Sequence, residues 1–271
     1  MPYALIVAVT LASGAQWLGP PVVAADQLKR VVTVAPSVTE TVLALDAGSL
    51  LVGVSRFDEF AEVKDLPRVG GFTDIAVESV VALKPQLIIV QKSPGNQKPI
   101  ETLAALGISV LALPLSTLAD VNDMLTVLGK TLGHEERATE LINEINDTRA
   151  AVQKRSAARK VKPTALLVYG FSPLVVAGPG SFAAELMADV GLENLAAKAR
   201  SPYPVFSMER LVARPPTLII DAADVSDGKS DLQKLKGLQR VRWLTLPSKD
   251  LLHPGPALAT GLLQLEALLK E

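Results

Sequence analysis

The chain has 271 residues, 49% of them hydrophobic, enough for one large domain or two lobes of ordinary size, and this excludes a disordered chain. Lys and Arg number 27 against 28 Asp and Glu, and a net charge of -1 leaves no electrostatic footprint for a nucleic-acid backbone or an anionic membrane surface. With no cysteine and two histidines, His134 and His253, the chain has no disulfide, thiolate metal site, cysteine nucleophile or lipid-modified cysteine, and little for a multi-histidine metal cage.

No charged side chain precedes Asp26. An apolar run from Tyr3 to Ala12, then Gly14, Gly19, Pro20 and Pro21, then Val23-Ala24-Ala25, reads as an export signal (residues 1–25) cleaved near Ala25. The run is shorter than the ~20 apolar residues a membrane span requires. Strand candidates Val31–Ala35, Leu51–Ser55, Leu87–Val90 and Ser109–Leu113 alternate with helices expected after Ser37, near Glu78 and at Pro99. Ser37-Val-Thr-Glu40 has the form of a capping box, and Gly107 is placed to close the Pro99 helix. Next comes a periodic stretch, His134–Lys160, with Ala138, Leu141, Ile142, Ile145 and Val152 on one stripe. Lacking Gly and Pro, it predicts one stiff helix about 40 Å long at 1.5 Å per residue. Strands Ala165–Tyr169, Leu174–Ala177, Leu218–Asp221 and Trp243–Leu246 follow, with helices starting at Ser181, Ser207 and near Pro256. The βαβα order predicts an α/β protein of two similar lobes with mainly parallel sheets, residues 26–133 and 163–271, bridged by the helix in residues 134–162, with a ligand cleft between the lobes.

The lobes echo one another. Glu78-Ser-Val-Val-Ala-Leu-Lys-Pro85-Gln-Leu-Ile-Ile89 returns as Glu209-Arg-Leu-Val-Ala-Arg-Pro-Pro216-Thr-Leu-Ile-Ile220, with Glu, Val, Ala, Pro, Leu, Ile and Ile at the same offsets. A weaker echo pairs Leu43-Ala-Leu-Asp46-Ala-Gly48 with Leu186-Met-Ala-Asp189-Val-Gly191, each glycine expected to end a helix.

Catalytic patterns are missing: there is no phosphate loop, no G-x-G-x-x-G and no G-x-S-x-G elbow. His134-Glu135-Glu136 opens like a zinc-binding H-E-x-x-H, but Ala138 stands at the second histidine's position. Asp58 and Glu59 are either an acid/base pair or solvated loop charge. An exported hydrolase or metal-dependent enzyme therefore has no constellation to stand on. Loop residues say more, because open α/β sheets bind ligands beyond the carboxyl ends of their strands. Phe57, Phe60, Phe72, Phe171 and Tyr203 all fall in expected loops, and either plug loop bases onto the core or line a cleft for a large, flat, partly apolar ligand.

Arg30-Val-Val-Thr-Val-Ala-Pro-Ser-Val-Thr-Glu40, Val52-Gly-Val-Ser55, Glu78 through Val90 and Leu106-Gly-Ile-Ser-Val110 resemble the helical-backbone (class III) solute-binding proteins of ABC importers for cobalamin, haem and ferric siderophores. The resemblance covers essentially the whole chain after the export signal. It implies a periplasmic, non-catalytic, monomeric receptor with no intrinsic cofactor. Cobalamin binders are nearest: their aromatic positions fall on Phe57, on Phe72, where they carry tryptophan, and on Tyr203. With Phe171, Arg56 and Asp58 these make up the implied ligand site. The tyrosine that ligates iron in haem binders falls near Phe72, which has no oxygen, leaving His253 as the candidate metal ligand. Siderophores would favour basic residues such as Arg56 and Arg200. The resemblance also implies that Glu78 and Glu209 dock on the two subunits of a permease dimer.

Overall fold

The computed structural model describes residues 9–10, 14–159, 161–222 and 229–270. Most of the Tyr3–Ala12 run and Lys160, the expected end of the bridging helix, lie outside the described residues. Two compact units are present. The first runs to Leu115 and takes in Ala119–Ile142, and the second comprises Ser116–Leu118 and the chain from Asn143 onward.

The first unit contains, in order, β1 (Val9–Thr10), β2 (Gln16–Leu18), β3 (Val31–Thr33), α1 (Pro36–Ala44), β4 (Leu51–Gly53), β5 (Gly70–Gly71), β6 (Asp74–Ile75), α2 (Val77–Ala82), β7 (Leu87–Gln91), α3 (Gln97–Ala105) and β8 (Ser109–Leu113). Most of α4 (Leu118–Leu132) belongs to it as well. Its sheet has the order β1-β2-β8-β7-β3-β4, parallel from β8 to β4, with β2 antiparallel on β8. Leu87 to Val90 and all of β8 are buried, as expected for strands covered on both faces. Val32, Ile88 and Val110 build the core with Ile100, Leu103 and Ala104 of α3.

Three local expectations change. The capping box does not form: Pro36 takes the first turn of α1, the flanking residue is Ala35, and Ser37 is buried inside the helix. A proline at that position is pre-set for helix and lacks a donor that would be orphaned anyway, so no side-chain cap is needed there. Gly48 does not end α1 either. Asp46, at φ 57°, takes the left-handed turn, and Ala47 N–H donates to Val42 O at 3.0 Å. In the second unit Gly191 takes that turn at φ 76°, so the structural equivalent of Gly191 is Asp46. The third change is the unanticipated α4, whose Val121, Met124, Leu125, Leu128 and Leu132 form a buried stripe of helical period. Gly107, in contrast, closes α3 as expected, at φ 85° with its N–H on Ala104 O.

The 22-residue helix α5 (Glu135–Ser156) is about 33 Å long at 1.5 Å per residue, and the division between the units falls inside it. The second unit continues with β9 (Thr164–Phe171), β10 (Leu174–Val176), α6 (Phe182–Asp189), β11 (Glu193–Asn194), α7 (Met208–Ala213), β12 (Leu218–Asp221), α8 (Lys229–Lys234), β13 (Arg242–Thr245) and α9 (Leu258–Leu268). Strands β9, β12 and β13 are parallel, β10 is antiparallel on β9, and β11 pairs in parallel with the start of β9. Ser181 and Ser207 cap α6 and α7 by accepting from the N–H of Ala184 and Arg210.

In the first unit, α5 packs by close approach: Ala138 is buried against Gly129, where an added Cβ would lie 2.5 Å from its methyl. Arg137 Nε also donates to Ala44 O at 3.1 Å. In the second unit its partners are charged. Asp189, its side chain 5% exposed, accepts from Arg149 Nε at 2.6 Å and Gln153 Nε2 at 2.5 Å, and Ser156 Oγ donates to Asp189 O at 2.7 Å. Arg155 forks onto both oxygens of Glu266 at 2.7 and 2.8 Å and holds that carboxyl below its usual 4.5. Asp189→Ala removes the acceptor of Arg149 and Gln153, leaving Arg149 only its longer pair with Glu185 at 4.0 Å, and should cost about 2–3 kcal/mol in urea unfolding at pH 7. Because the Glu266 value is lowered in the folded state, its pair stabilises above pH 4.5 and loses that contribution as pH falls through the lowered value. Glu266→Gln should therefore lower the urea midpoint more at pH 7 than at pH 3.

Candidate functional site

At the carboxyl end of β4 the chain leaves the first sheet through Ser55-Arg56-Phe57-Asp58. A hairpin, β5 and β6 with Phe72 and Thr73 at its tip, is attached beside it: Val69 N–H donates to Val54 O and Arg56 N–H to Gly70 O. Two glycines make the attachment possible. Gly70 sits at φ 93°, and a Cβ there would lie 2.4 Å from Asp74 O; a Cβ on Gly71 would lie 2.5 Å from the Phe57 ring. The ring thus rests on backbone. Arg56 stacks 4.9 Å from its centroid and pairs with Asp74 at 2.6 Å. Phe57 is 49% exposed and Phe72 36%, a large apolar area for positions held this firmly.

Asn96, 1% exposed, fixes the hairpin tip to the loop after β7. Its Nδ2 donates to Phe72 O at 2.6 Å and Gln91 O at 2.7 Å, and its Oδ1 accepts from Ser93 N–H. Sequence reasoning missed this residue; a lone Asn in a Ser-Pro-Gly-Asn loop reads as a turn former.

Asp58 is 3% exposed and neither carboxylate oxygen has a hydrogen-bond partner. Thr39, Ser55 and Arg68 are the groups that favour its charge. Burial outweighs all three and pushes the carboxyl up to about 6. A side chain so enclosed does not offer itself at the surface.

In the second unit the corresponding ends are those of β9 and β12. Phe171 is the last residue of β9, not a loop residue. It is 8% exposed, and its ring packs 6.2 Å from Trp243 in the core. The aromatic on the open side is Tyr203, 41% exposed, whose ring meets Tyr169 edge-on at 5.5 Å. Residues 202–206 lie along β10 through Gly178 N–H to Pro202 O, Val176 N–H to Pro204 O and Phe206 N–H to Leu174 O. Gly178 again permits the contact, since a Cβ there would lie 2.3 Å from Ser201 O. The Tyr169 hydroxyl is buried without a hydrogen-bond partner, and burial holds its proton well above the usual 10. Tyr169 went unmarked in the sequence because it ends an apolar run, although a tyrosine at the carboxyl end of a parallel strand is a signal, its hydroxyl needing a partner.

Glu78 and Glu209 are both exposed in the first turns of α2 and α7. His253 is half-buried in the segment before α9, and among the described residues no group of three or more His, Cys, Asp or Glu side chains could hold a metal ion.

Residues 31–242 match the family model described as periplasmic binding protein. The vitamin B12-binding protein of Yersinia pseudotuberculosis is 31% identical over 197 residues, 72% of this chain and 70% of that protein. Among solved structures, the periplasmic vitamin B12-binding protein of Vibrio cholerae superposes with a TM-score of 0.76 at 21% identity, over 89% of this chain and 96% of its own. A periplasmic haem-binding protein from Pseudomonas aeruginosa gives 0.78 at 29% identity, over 88% and 91%.

The buried Asp58 gives a signed expectation. Its folded value exceeds that of the unfolded chain, 3.8, so its ionisation opposes folding, fully above about pH 6 and not at all below 3.8. Asp58→Asn should raise stability at pH 7 by about 2–3 kcal/mol and leave it nearly unchanged near pH 4, read from urea midpoints. An equal effect at both values would show that the carboxyl is not ionised against its burial.

Proposed function

The chain belongs to the periplasmic binding proteins, and from that premise we propose that it captures a corrinoid and delivers it to the permease of an ABC importer. Members of this family bind and do not catalyse. The observation that carries the ligand class is the set of exposed rings where the chain turns out of the strands: Phe57 over Gly71 and Phe72 at the hairpin tip in the first unit, Tyr203 on Tyr169 in the second. Water-exposed aromatic faces fixed in this way suit a large, flat, partly apolar ligand better than a small polar one. Similarity to vitamin B12-binding proteins supports cobalamin within that class.

Haem is the second reading, favoured by the likeness to the Pseudomonas aeruginosa protein. Phe72 offers iron no oxygen, so an axial ligand would come from Tyr203 or His253. A ferric siderophore fits less well, because Arg56 is already neutralised by Asp74. Glu78 and Glu209 are assigned to permease docking, and export is assigned to a signal cut near Ala25. Such a cut removes β1 and β2 and leaves β8 as the sheet edge, and the N-terminal residue of the protein recovered from the periplasm checks it.

Equilibrium titration with cyanocobalamin, haemin and ferric siderophores, followed by Trp243 and tyrosine emission, tests the reading. Cyanocobalamin should saturate. Phe57→Ala and Tyr203→Ala should each weaken it by about 10- to 100-fold, the range of a buried aromatic anchor, with unfolding midpoints unchanged. Saturation by haemin alone would reverse the order of the two ligands.

A further inference from the structure

The two copies of the repeat differ where α2 and α7 end. Leu83 in the first copy and Arg214 in the second stand at the same offset, each directly after the last residue of its helix. Leu83 is half-buried, packs on the core of the first unit, and approaches β4 so closely that a Cβ on Gly53 would lie 2.4 Å from its Cδ1. Arg214 is exposed. Beside α7 the second unit keeps a cavity of about 250 Å³, lined by Leu195, Phe206, Arg210, Ala213 and Arg214. Leu195 directly follows β11, which pairs with β9 as β4 pairs with β3, so this cavity corresponds to the seat that Leu83 fills in the first unit.

Its floor is apolar and its rim cationic. Leu195 and Phe206 pack in the core of the second unit, whereas Arg210 and Arg214 are exposed one helical turn apart, on one face. Arg210 is held over the Phe206 ring, 5.4 Å from its centroid. Among the described residues neither guanidinium pairs with a carboxylate. Like charges at this spacing oppose one another, and the first copy carries neither, having Ser79 and Leu83 there. The dipole of α7 accounts for one basic residue at its end, not for a second over an open apolar floor.

The geometry points to a binding site for a small organic anion, a phosphate or carboxylate that bears a short apolar group. The two guanidiniums take the anionic oxygens, and the apolar group leaves water against Leu195, Phe206 and Ala213. The volume lies below the ~300 Å³ at which sites for drug-sized ligands begin, so the guest is smaller than a corrinoid or a haem. This site does not rest on the corrinoid reading.

Calorimetric titration of the full chain with hexyl phosphate, hexanoate and inorganic phosphate tests it. Hexyl phosphate should saturate one site, with inorganic phosphate at least about tenfold weaker. Arg210→Gln and Arg214→Gln should each weaken hexyl phosphate by about tenfold, and unchanged urea midpoints report that both variants fold. Arg214→Leu, which restores the residue of the first copy, should abolish binding and raise the urea midpoint. Co-sedimentation with phosphatidylglycerol vesicles, against phosphatidylcholine, separates the two sources of such a group: capture that is lost in the arginine variants names a lipid headgroup, and no capture names a free anion. Hexyl phosphate that fails to saturate, or that binds the glutamine and leucine variants like the wild type, overturns the site. Equal affinity for inorganic phosphate also overturns it, because the apolar floor would then contribute nothing.

Discussion

Parallel strands buried on both faces leave only their ends in contact with water, and the chemistry of each unit is confined there. Leu87 to Val90, all of β8 and all of β12 are buried, so none of their side chains is available to a ligand. What remains accessible is the chain as it turns out of the sheet, at Arg56 and Phe57 after β4, at Lys92–Gly95 after β7 and at Tyr203 beside the end of β9. The sheet thus fixes where a binding surface can be without fixing what it binds.

Specificity comes from how those turns are held. Gly70, Gly71 and Gly178 each admit backbone or ring where a Cβ would collide at 2.3 to 2.5 Å, so the segments that carry the aromatic residues lie close against their neighbours: the Phe57 ring lies over Gly71, and Tyr203 stands edge-on against Tyr169. Asn96 joins the hairpin tip to the loop after β7 through groups that are otherwise hard to satisfy in a buried setting. With both restraints present, Phe57 and Phe72 stay in place while exposed, and ordering them on ligand binding costs little entropy. Asp58 runs the other way: an enclosed carboxyl whose burial outweighs the groups that favour its charge destabilises the fold at neutral pH.

Much of the architecture is legible in the sequence because apolar runs and breakers agree with one another. Leu87–Val90, Ser109–Leu113 and Leu218–Asp221 stand out as continuous β-branched or leucine runs, and proline or glycine marks their ends. α4 has an equally good stripe from Val121 to Leu132, but its interior Gly129 weakens the signal by about 1 kcal/mol, for a reason visible only in three dimensions, the contact with Ala138. The aromatic site divides in the same way. Phe57, Phe72 and Tyr203 follow from lying between elements. Phe171 does not, because β9 runs two residues further than its apolar run, pairing with β10, and carries that ring into the core beside Trp243. Asn96 and Asp58 owe their character to burial, and burial of a polar residue is not written in its neighbours.

Helix α5 shows the same limit from the other side. Its stripe Ala138, Leu141, Ile145 and Val152 is buried and was readable, but the stripe says nothing of what it packs on. In the first unit the answer is close apposition of Ala138 to Gly129; in the second it is a set of charge-assisted hydrogen bonds to Asp189 and Glu266. Apposition of that kind is insensitive to pH and salt, whereas the Arg155–Glu266 pair weakens as pH falls through the lowered value of Glu266. One uninterrupted helix is consequently anchored by two kinds of force, and acid should loosen its carboxyl-terminal half first.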